Sequence, residues 1–255
     1  MNSENSQILK TSLKKLLAPG YRVRFIVGAV SLSLIIVGIK LVAYNAEPNK
    51  PVLAVALQSD QKILYAGQFS DSYIMRKDQK GLNDDAFTSS WGNIGGFNRP
   101  IRSIAVLSDD STIVAGEFTS FHDSVVSYIA KINKDGTLNT EFAKNSGTGF
   151  DNIVNTVTLQ LDGKILVGGE FTSYNSSSKN TPSIARLNPD GTLDESFKSG
   201  SGFDQPVLTV ESLSDGSILV GGNFSTYNGT QSPYIAKLSA TGEINSKFVV
   251  NYANQ

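Results

Sequence analysis

Cysteine is absent from the 255 residues, methionine occurs twice, tryptophan once, and histidine once, as His122. The missing thiols exclude disulfide staples, thiolate metal sites and cysteine nucleophiles, and they leave the redox compartment open. A single imidazole excludes a site built on a histidine pair and leaves a Ser-His-Asp hydrolase poorly supplied. Neither a phosphate-binding glycine loop nor a G-x-S-x-G elbow is present. The sequence therefore offers no catalytic set, no cofactor and no metal site, and an enzyme is not expected. Charged residues are only 18% of the chain beside 40% hydrophobic ones, so a core can be buried. What is plentiful is glycine, with 23 residues, and phenylalanine and tyrosine, with 13 and 9. That balance favours strands and tight turns over a helical bundle.

The net charge of −1 hides an asymmetry. Residues 1–24 carry Lys10, Lys14, Lys15, Arg22 and Arg24 against Glu4, whereas residues 41–255 hold 16 basic and 22 acidic groups. A body of that sign lacks the phosphate-neutralising surface of a nucleic-acid binder, and no nucleic acid is expected as a partner.

Phe25 to Tyr44 reads FIVGAVSLSLIIVGIKLVAY, with Lys40 as its one charge. Twenty residues at about 1.5 Å each match the thickness of a bilayer's hydrocarbon core. The run is long for a signal peptide, and cleavage after Ala46 would put bulky Tyr44 at −3, so a retained anchor is favoured over a cleaved leader. Lys40 lies near the outer end, where its stem can snorkel to the headgroups. The five basic residues before the span place the N-terminus in the cytoplasm and the rest across the membrane. Ahead of the span, Ile8, Leu9, Leu13, Leu16 and Leu17 share one side of a helical wheel and Lys10, Lys14 and Lys15 the other. Residues 1–24 thus read as an interfacial amphipathic helix, ended by Pro19-Gly20, and the lipid bilayer is an expected partner.

After a linker at 45–51 the chain repeats itself four times. VLAVALQSDQKILYAGQF from Val52 aligns with segments starting at Ile101, Val154 and Val207. A second block, YIAKINKDGTLNTEF from Tyr128, aligns with segments starting at Tyr73, Ser183 and Tyr234. Periods near 50 residues mean solenoids, propellers or arrays. Each repeat reads as two hairpins, with Asp-Gly turns such as Asp162-Gly163 and Asp190-Gly191 supplying the positive φ that tight hairpins need. Four short strands in that length are one propeller blade. The Gly-Gly pairs, Gly168-Gly169 and Gly221-Gly222, suit a close approach of neighbouring backbones.

The run DGKILVGGEF from Asp162, followed by SIARLNPDGTLDESF from Ser183, resembles the delta-sixty β-propeller repeats of bacterial envelope and surface proteins. The resemblance covers residues 52–248. It implies a propeller fold and brings no general activity or catalytic residues with it. The first repeat departs from the pattern: Gln61 stands for the turn glycine and Lys77 for an apolar strand residue.

The expected architecture is all-β: a four-bladed β-propeller, with blades at about 52–100, 101–153, 154–206 and 207–255, preceded by the amphipathic helix and one transmembrane helix at 25–44. A closed ring is favoured over an open arc completed by another subunit, because open ends expose sheet edges, with Val249–Tyr252 available at the seam. Before each repeat phenylalanine stands Gln68, Glu117, Glu170 or Asn223, and the second block carries Arg76, Lys131, Arg186 or Lys237. Such positions are expected as cross-strand pairs, Glu117 with Lys131 and Glu170 with Arg186, in preference to a polar ring around an axial ion. The turns at Asn133-x-Asp135-Gly136 and Asn188-x-Asp190-Gly191 lack the further ligands of a calcium loop and read as hairpin turns. His122 reads as a solvated loop residue.

The function expected is non-catalytic: a membrane-anchored scaffold or accessory subunit of a membrane complex of respiratory, photosynthetic or transport type, with other subunits of that complex as partners. An envelope module binding glycan or peptide is the alternative, and a degenerate propeller enzyme the less favoured one. Phe25, Lys40 and Tyr44 mark the expected anchor of a single-pass inner-membrane protein whose propeller is periplasmic or otherwise extracytoplasmic. A reporter active only outside the cytoplasm, fused after Gln255, should therefore be active, and activity of a cytoplasm-only reporter at the same site would reverse this topology.

Overall fold

The computed structural model describes residues 50–69, 72–91, 95–176 and 181–248, and the chain divides into two units, Met1–Glu47 and Pro48–Gln255. The amphipathic helix at 1–24, the span at 25–44 with Phe25, Lys40 and Tyr44, and the seam segment Val249–Tyr252 lie outside the described residues. Among the described residues no helix is long and apolar enough to cross a membrane.

Four three-stranded antiparallel sheets follow one another. The first holds β1 (Val52–Leu57), β2 (Ile63–Gly67) and β3 (Ile74–Lys77). The second holds β4 (Ile101–Val106), β5 (Thr112–Gly116) and β8 (Ile129–Ile132), with a small hairpin of β6 (Ser120–Phe121) and β7 (Ser124–Val125) between. The third holds β9 (Val154–Leu159), β10 (Ile165–Gly169) and β11 (Ile184–Leu187). The fourth holds β12 (Val207–Ser212), β13 (Ile218–Gly222) and β16 (Ile235–Leu238), again with a hairpin, β14 (Thr226–Tyr227) and β15 (Thr230–Gln231). The expected fourth strand of each repeat is reduced to one bridge: Lys77 to Asn83, Ile132 to Leu138, Leu187 to Leu193 and Leu238 to Ile244. The reason is local. Two residues after the turn glycine the chain bridges back, and the next residue is an Asp or Asn that turns it away. In the second repeat Asn139 caps a short helix, Thr140–Ser146, its Oδ1 accepting from the Phe142 amide at 2.9 Å.

The first strand of every sheet carries a bulge, at Leu53, Arg102, Asn155 and Leu208. It presses the preceding carbonyl onto the last glycine of the second strand. A Cβ at Gly67, Gly116, Gly169 or Gly222 would lie 2.2–2.3 Å from the oxygen of Pro51, Pro100, Ile153 or Pro206. The second glycine of each Gly-Gly pair thus serves its own sheet.

Apolar side chains fill the spaces between sheets. Leu64, Ile74, Ile101 and Val114 lie between the first and second sheets. Ile113, Ile129, Val154 and Val167 lie between the second and third. Leu166, Ile184, Val207 and Val220 lie between the third and fourth. Packing runs from β1 to β4 to β9 to β12, and among the described strands no comparable packing joins β12 back to β1. The closed ring favoured by the sequence is therefore not what the described residues form. Val52, Val55 and Leu57 of β1 are exposed, while Val154 and Val207, aligned with Val52, are fully buried.

A repeated aromatic lock joins each sheet to the next. The phenylalanine closing one repeat covers the turn glycine of the following one: Phe87 on Gly136, Phe142 on Gly191 and Phe197 on Gly242. The covered carbonyl is bonded too. Tyr174 donates to Gly191 O and Tyr227 to Gly242 O, both at 2.6 Å. In the second repeat the aligned residue is Phe121, which has no hydroxyl, and Trp91 Nε1 from the first repeat donates to Gly136 O at 2.7 Å instead. Gly136 has φ +90°, and a Cβ there would stand 1.8 Å from Phe87 O. Gly81, its counterpart in the first repeat, has φ +77° and nothing within 4 Å. Gly136→Ala should cost about 3 kcal/mol of stability, combining positive-φ strain with displacement of the lock, and Gly81→Ala only about 1 kcal/mol. Urea unfolding of the two variants checks the difference, and equal losses would contradict the lock.

Candidate functional site

The charged groups singled out from the sequence lie on two parts of the array, and in neither are they paired as expected. Glu117 does not meet Lys131. Strand β5 ends at Gly116, and the register sets Lys131 opposite Ile113. Glu117 pairs with Arg102, whose Nε and Nη2 lie 2.9 and 2.8 Å from Oε1. Arg102 is a bulge residue, and its Nη1 donates to Asn155 Oδ1 of the next bulge at 2.7 Å. Asn155 Nδ2 then donates to Val207 O at 2.9 Å. A polar chain thus steps across the first strands of the second, third and fourth sheets, and the bulges direct it there. Glu170 likewise does not stand across from Arg186, which is set opposite Leu166, four residues away.

Arg186 belongs to a buried cluster. Its Nε and Lys164 Nζ both approach Asp194 Oδ2, at 2.7 and 2.8 Å. Its Nη1 reaches Gln160 Oε1 at 3.2 Å and, in the next sheet, Ala240 O at 2.5 Å. Its guanidinium covers the ring of Phe197 at 4.9 Å. The first repeat builds the same cluster. Arg76 meets Asp84 at 2.8 Å, Gln58 at 3.2 Å, Lys134 O of the next sheet at 2.5 Å and the ring of Phe87 at 4.5 Å. Lys62 is 2.8 Å from the same Asp84 oxygen. In the second and fourth repeats the positions of Arg and Asp are held by Lys131 with Asn139 and Lys237 with Asn245. Those lysines turn to Asp109 at 3.9 Å and Asp215 at 3.6 Å. The repeats therefore alternate, Arg/Asp, Lys/Asn, Arg/Asp, Lys/Asn. Asp84, Asp194, Gln58, Gln160 and Arg102 were not identified from the sequence. The signal was present as paired change: eight residues after Arg stands Asp, and eight after Lys stands Asn.

Burial raises the Asp194 carboxyl, but hydrogen bonds from Lys164, Ser196 and Arg186 overcome it and hold the group well below the ordinary carboxylate range. Asp84 is lowered in the same way, burial opposing Lys62 and Arg76. Asp110 is held far down by Lys134 and by Ser59, across the boundary of the first two sheets, and Lys134 is raised by Asp110 in return.

The turns at Asn133-x-Asp135-Gly136 and Asn188-x-Asp190-Gly191 close on themselves: Asp135 Oδ1 accepts from the Thr137 amide at 3.0 Å and hydroxyl at 2.6 Å, and Asp190 does the same for Thr192. No cluster able to hold a metal ion occurs among the described residues. His122 is not a solvated loop residue. It is half-buried at φ +49°, edge-on to Phe121 with ring centres 4.6 Å apart, and its Nε2 is buried without a partner. Two shallow grooves lie at sheet boundaries. One of about 300 Å³ is lined by Gln160, Asp162, Arg186, Leu213 and Ala240. The other, of about 250 Å³, is lined by Lys131, Glu141, Phe142 and Asp190.

Three segments, 107–142, 160–197 and 213–248, match a family model described as a domain of unknown function (DUF5122), a beta-propeller. Together with the recurring sheets, this makes the chain a β-propeller repeat protein with an all-β, propeller-like fold. No curated protein matches it. Among solved structures it is similar to the WD40 β-propeller domain of Doa1, at 12% identity and a TM-score of 0.46, covering 75% of this chain and 52% of that one. It is also similar to the extracellular domain of BT4673 from B. thetaiotaomicron, at 17% identity and a TM-score of 0.48, covering 80% of this chain and 25% of that one. A third is PorZ, a surface component of the type-IX secretion system of Porphyromonas gingivalis, at 14% identity and a TM-score of 0.45, covering 82% and 29%. The chain spans about half the length of the first of these and between a quarter and a third of the other two.

The buried cluster makes a specific demand on pH. The folded Asp194 titrates below its unfolded value of about 3.9, so its contribution is complete above that pH and is lost as pH falls through the folded value. Asp194→Asn should lower stability by about 3 kcal/mol at neutral pH, because Arg186 and Lys164 lose their shared buried anion. It should also make unfolding less acid-sensitive below pH 4 than in the parent. Thermal unfolding between pH 2 and 7 measures both, and parallel curves for parent and variant would remove the cluster from the stability account.

Proposed function

We propose that this chain is a non-catalytic, membrane-anchored scaffold: a four-bladed, delta-sixty-type propeller held outside the cytoplasm by a single span at 25–44, with residues 1–24 on the inner leaflet. Its work is to present a rigid surface to the other subunits of a membrane complex. The observation that supports this reading is the use made of the charged side chains. Arg76 and Arg186 reach carbonyls of the next sheet, Lys134 reaches back to Asp60 of the first, and Arg102 and Asn155 link three sheets in line. Groups held in this way rigidify the array and fix its turns, which suits a docking surface. Inner-membrane placement rests on Phe25–Tyr44, Lys40 and the basic flank.

A second reading, an envelope module that binds a small glycan or peptide, draws on the groove between the third and fourth sheets, where Arg186 and Asp162 line about 300 Å³. The two readings part experimentally. Residues 1–44 are replaced by an unrelated single-span anchor, and the protein is isolated in mild detergent with whatever accompanies it. The scaffold reading expects the propeller to remain folded and outside but to lose partners that pack against the native span. Retention of the same partners in the same ratio would reduce the span to a tether. If neither form carries a partner, while a glycan or peptide raises the melting temperature of both, the second reading is favoured.

A further inference from the structure

The two ends of the array are complementary, and the contacts inside the chain show how they fit. At each internal boundary the earlier sheet contributes a closing phenylalanine and the later one a turn glycine to receive it. Phe87, Phe142 and Phe197 are buried in this role, and Gly136, Gly191 and Gly242 are buried beneath them. Phe248, the fourth such phenylalanine, is exposed. Gly81, the first such glycine, is exposed with nothing within 4 Å. One end offers a knob and the other an unfilled seat.

A second pair of features says the same. Between the third and fourth sheets, Gly168 makes room for the next first strand: a Cβ there would lie 2.5 Å from Val207 and 2.9 Å from Val210. Leu166 and Ile184 beside it are fully buried. On the fourth sheet the aligned residues are Gly221, Leu219 and Ile235. Gly221 faces no other sheet, and Leu219 and Ile235 are only half-buried. Val52 and Val55, aligned with Val207 and Val210, are 39% and 66% exposed on β1. The alternation of repeats also agrees, since a Lys/Asn repeat followed by an Arg/Asp repeat is the order already found between the second and third sheets.

We propose that two copies of this chain associate head to tail, β1 of each packing on β13 and β16 of the other, with Phe248 of each covering Gly81 of the other. The contact is heterologous, and two such contacts close a ring of eight blades, within the range that propellers adopt. Each contact extends an interface the chain builds three times within itself, and it covers the apolar strand that a lone array leaves in water. A second copy fits better than an unlike protein because only a chain of this repeat carries both knob and seat at this spacing.

The test uses the full chain in mild detergent, with the mass of the protein component measured by light scattering over a range of concentrations. The parent should be a dimer. Val55→Asp damages one end and Phe248→Asp the other, both at positions exposed in the lone array, and each should weaken self-association at least about tenfold. Unchanged circular dichroism at low concentration shows that each variant still folds. Mixing the two variants should restore dimers, because the good end of one meets the good end of the other and one intact contact forms. A parent that stays monomeric overturns the proposal, as does a ladder of oligomers with no dominant dimer. So does a parent whose Val55→Cys derivative is a monomer yet shielded from a thiol reagent, which would mean that one chain closes on itself. Failure of the mixed variants to associate would likewise exclude the head-to-tail geometry.

Discussion

Everything in this array depends on one constraint: a three-stranded sheet of four to six residues per strand cannot bury its own faces. Its apolar side chains become core only when the next sheet lies on them, and here each sheet is fixed to the next by a phenylalanine seated on a glycine turn. The bulges, the positive-φ turns and the buried Arg–Asp clusters all follow from placing that contact at the same point in successive repeats. Stability in such an array is close to a sum of nearest-neighbour terms. The interior sheets have two neighbours and the terminal sheets one, and the exposed residues of β1 are the direct consequence.

The polar groups follow the same logic. A guanidinium is a planar fork able to bond a carboxylate and a carbonyl together, and Arg76 and Arg186 bond one of each, the carbonyl belonging to the next sheet. A lysine lacks that fork and offers its donors from a single nitrogen. Where Lys131 and Lys237 occupy the position, the aspartate becomes asparagine and the lysine turns to the acidic residue of its own first turn. The alternation is therefore two solutions to one problem. Which solution a repeat uses is decided by the pair of residues and not by either alone.

Much of this was legible from the amino-acid sequence. The four repeats, the turns at Asp162-Gly163 and Asp190-Gly191, and the propeller-like class followed from spacing and turn chemistry. The partners of the charged residues did not. Glu117 and Lys131 align in their blocks, but alignment carries no register, and the strand ends one residue before the glutamate. The Arg102–Asn155 contact joins different repeats through bulges, which no period of two reveals. The fourth strand failed for a related reason: a bridging residue followed by a capping Asp or Asn leaves room for one ladder contact. His122 was misjudged because polarity suggested water, whereas its ring packs edge-on against Phe121.

Packing between neighbours is the central claim, and hydrogen exchange resolved to single strands tests it most directly. Amides of β9, covered on both sides within the chain, should be protected to the same degree at every protein concentration. Those of β1 should exchange quickly in dilute solution and become protected as concentration rises and the open faces are covered. Protection of β1 equal to that of β9 at all concentrations would contradict the account, because it would mean that the first sheet is already fully packed within a single chain.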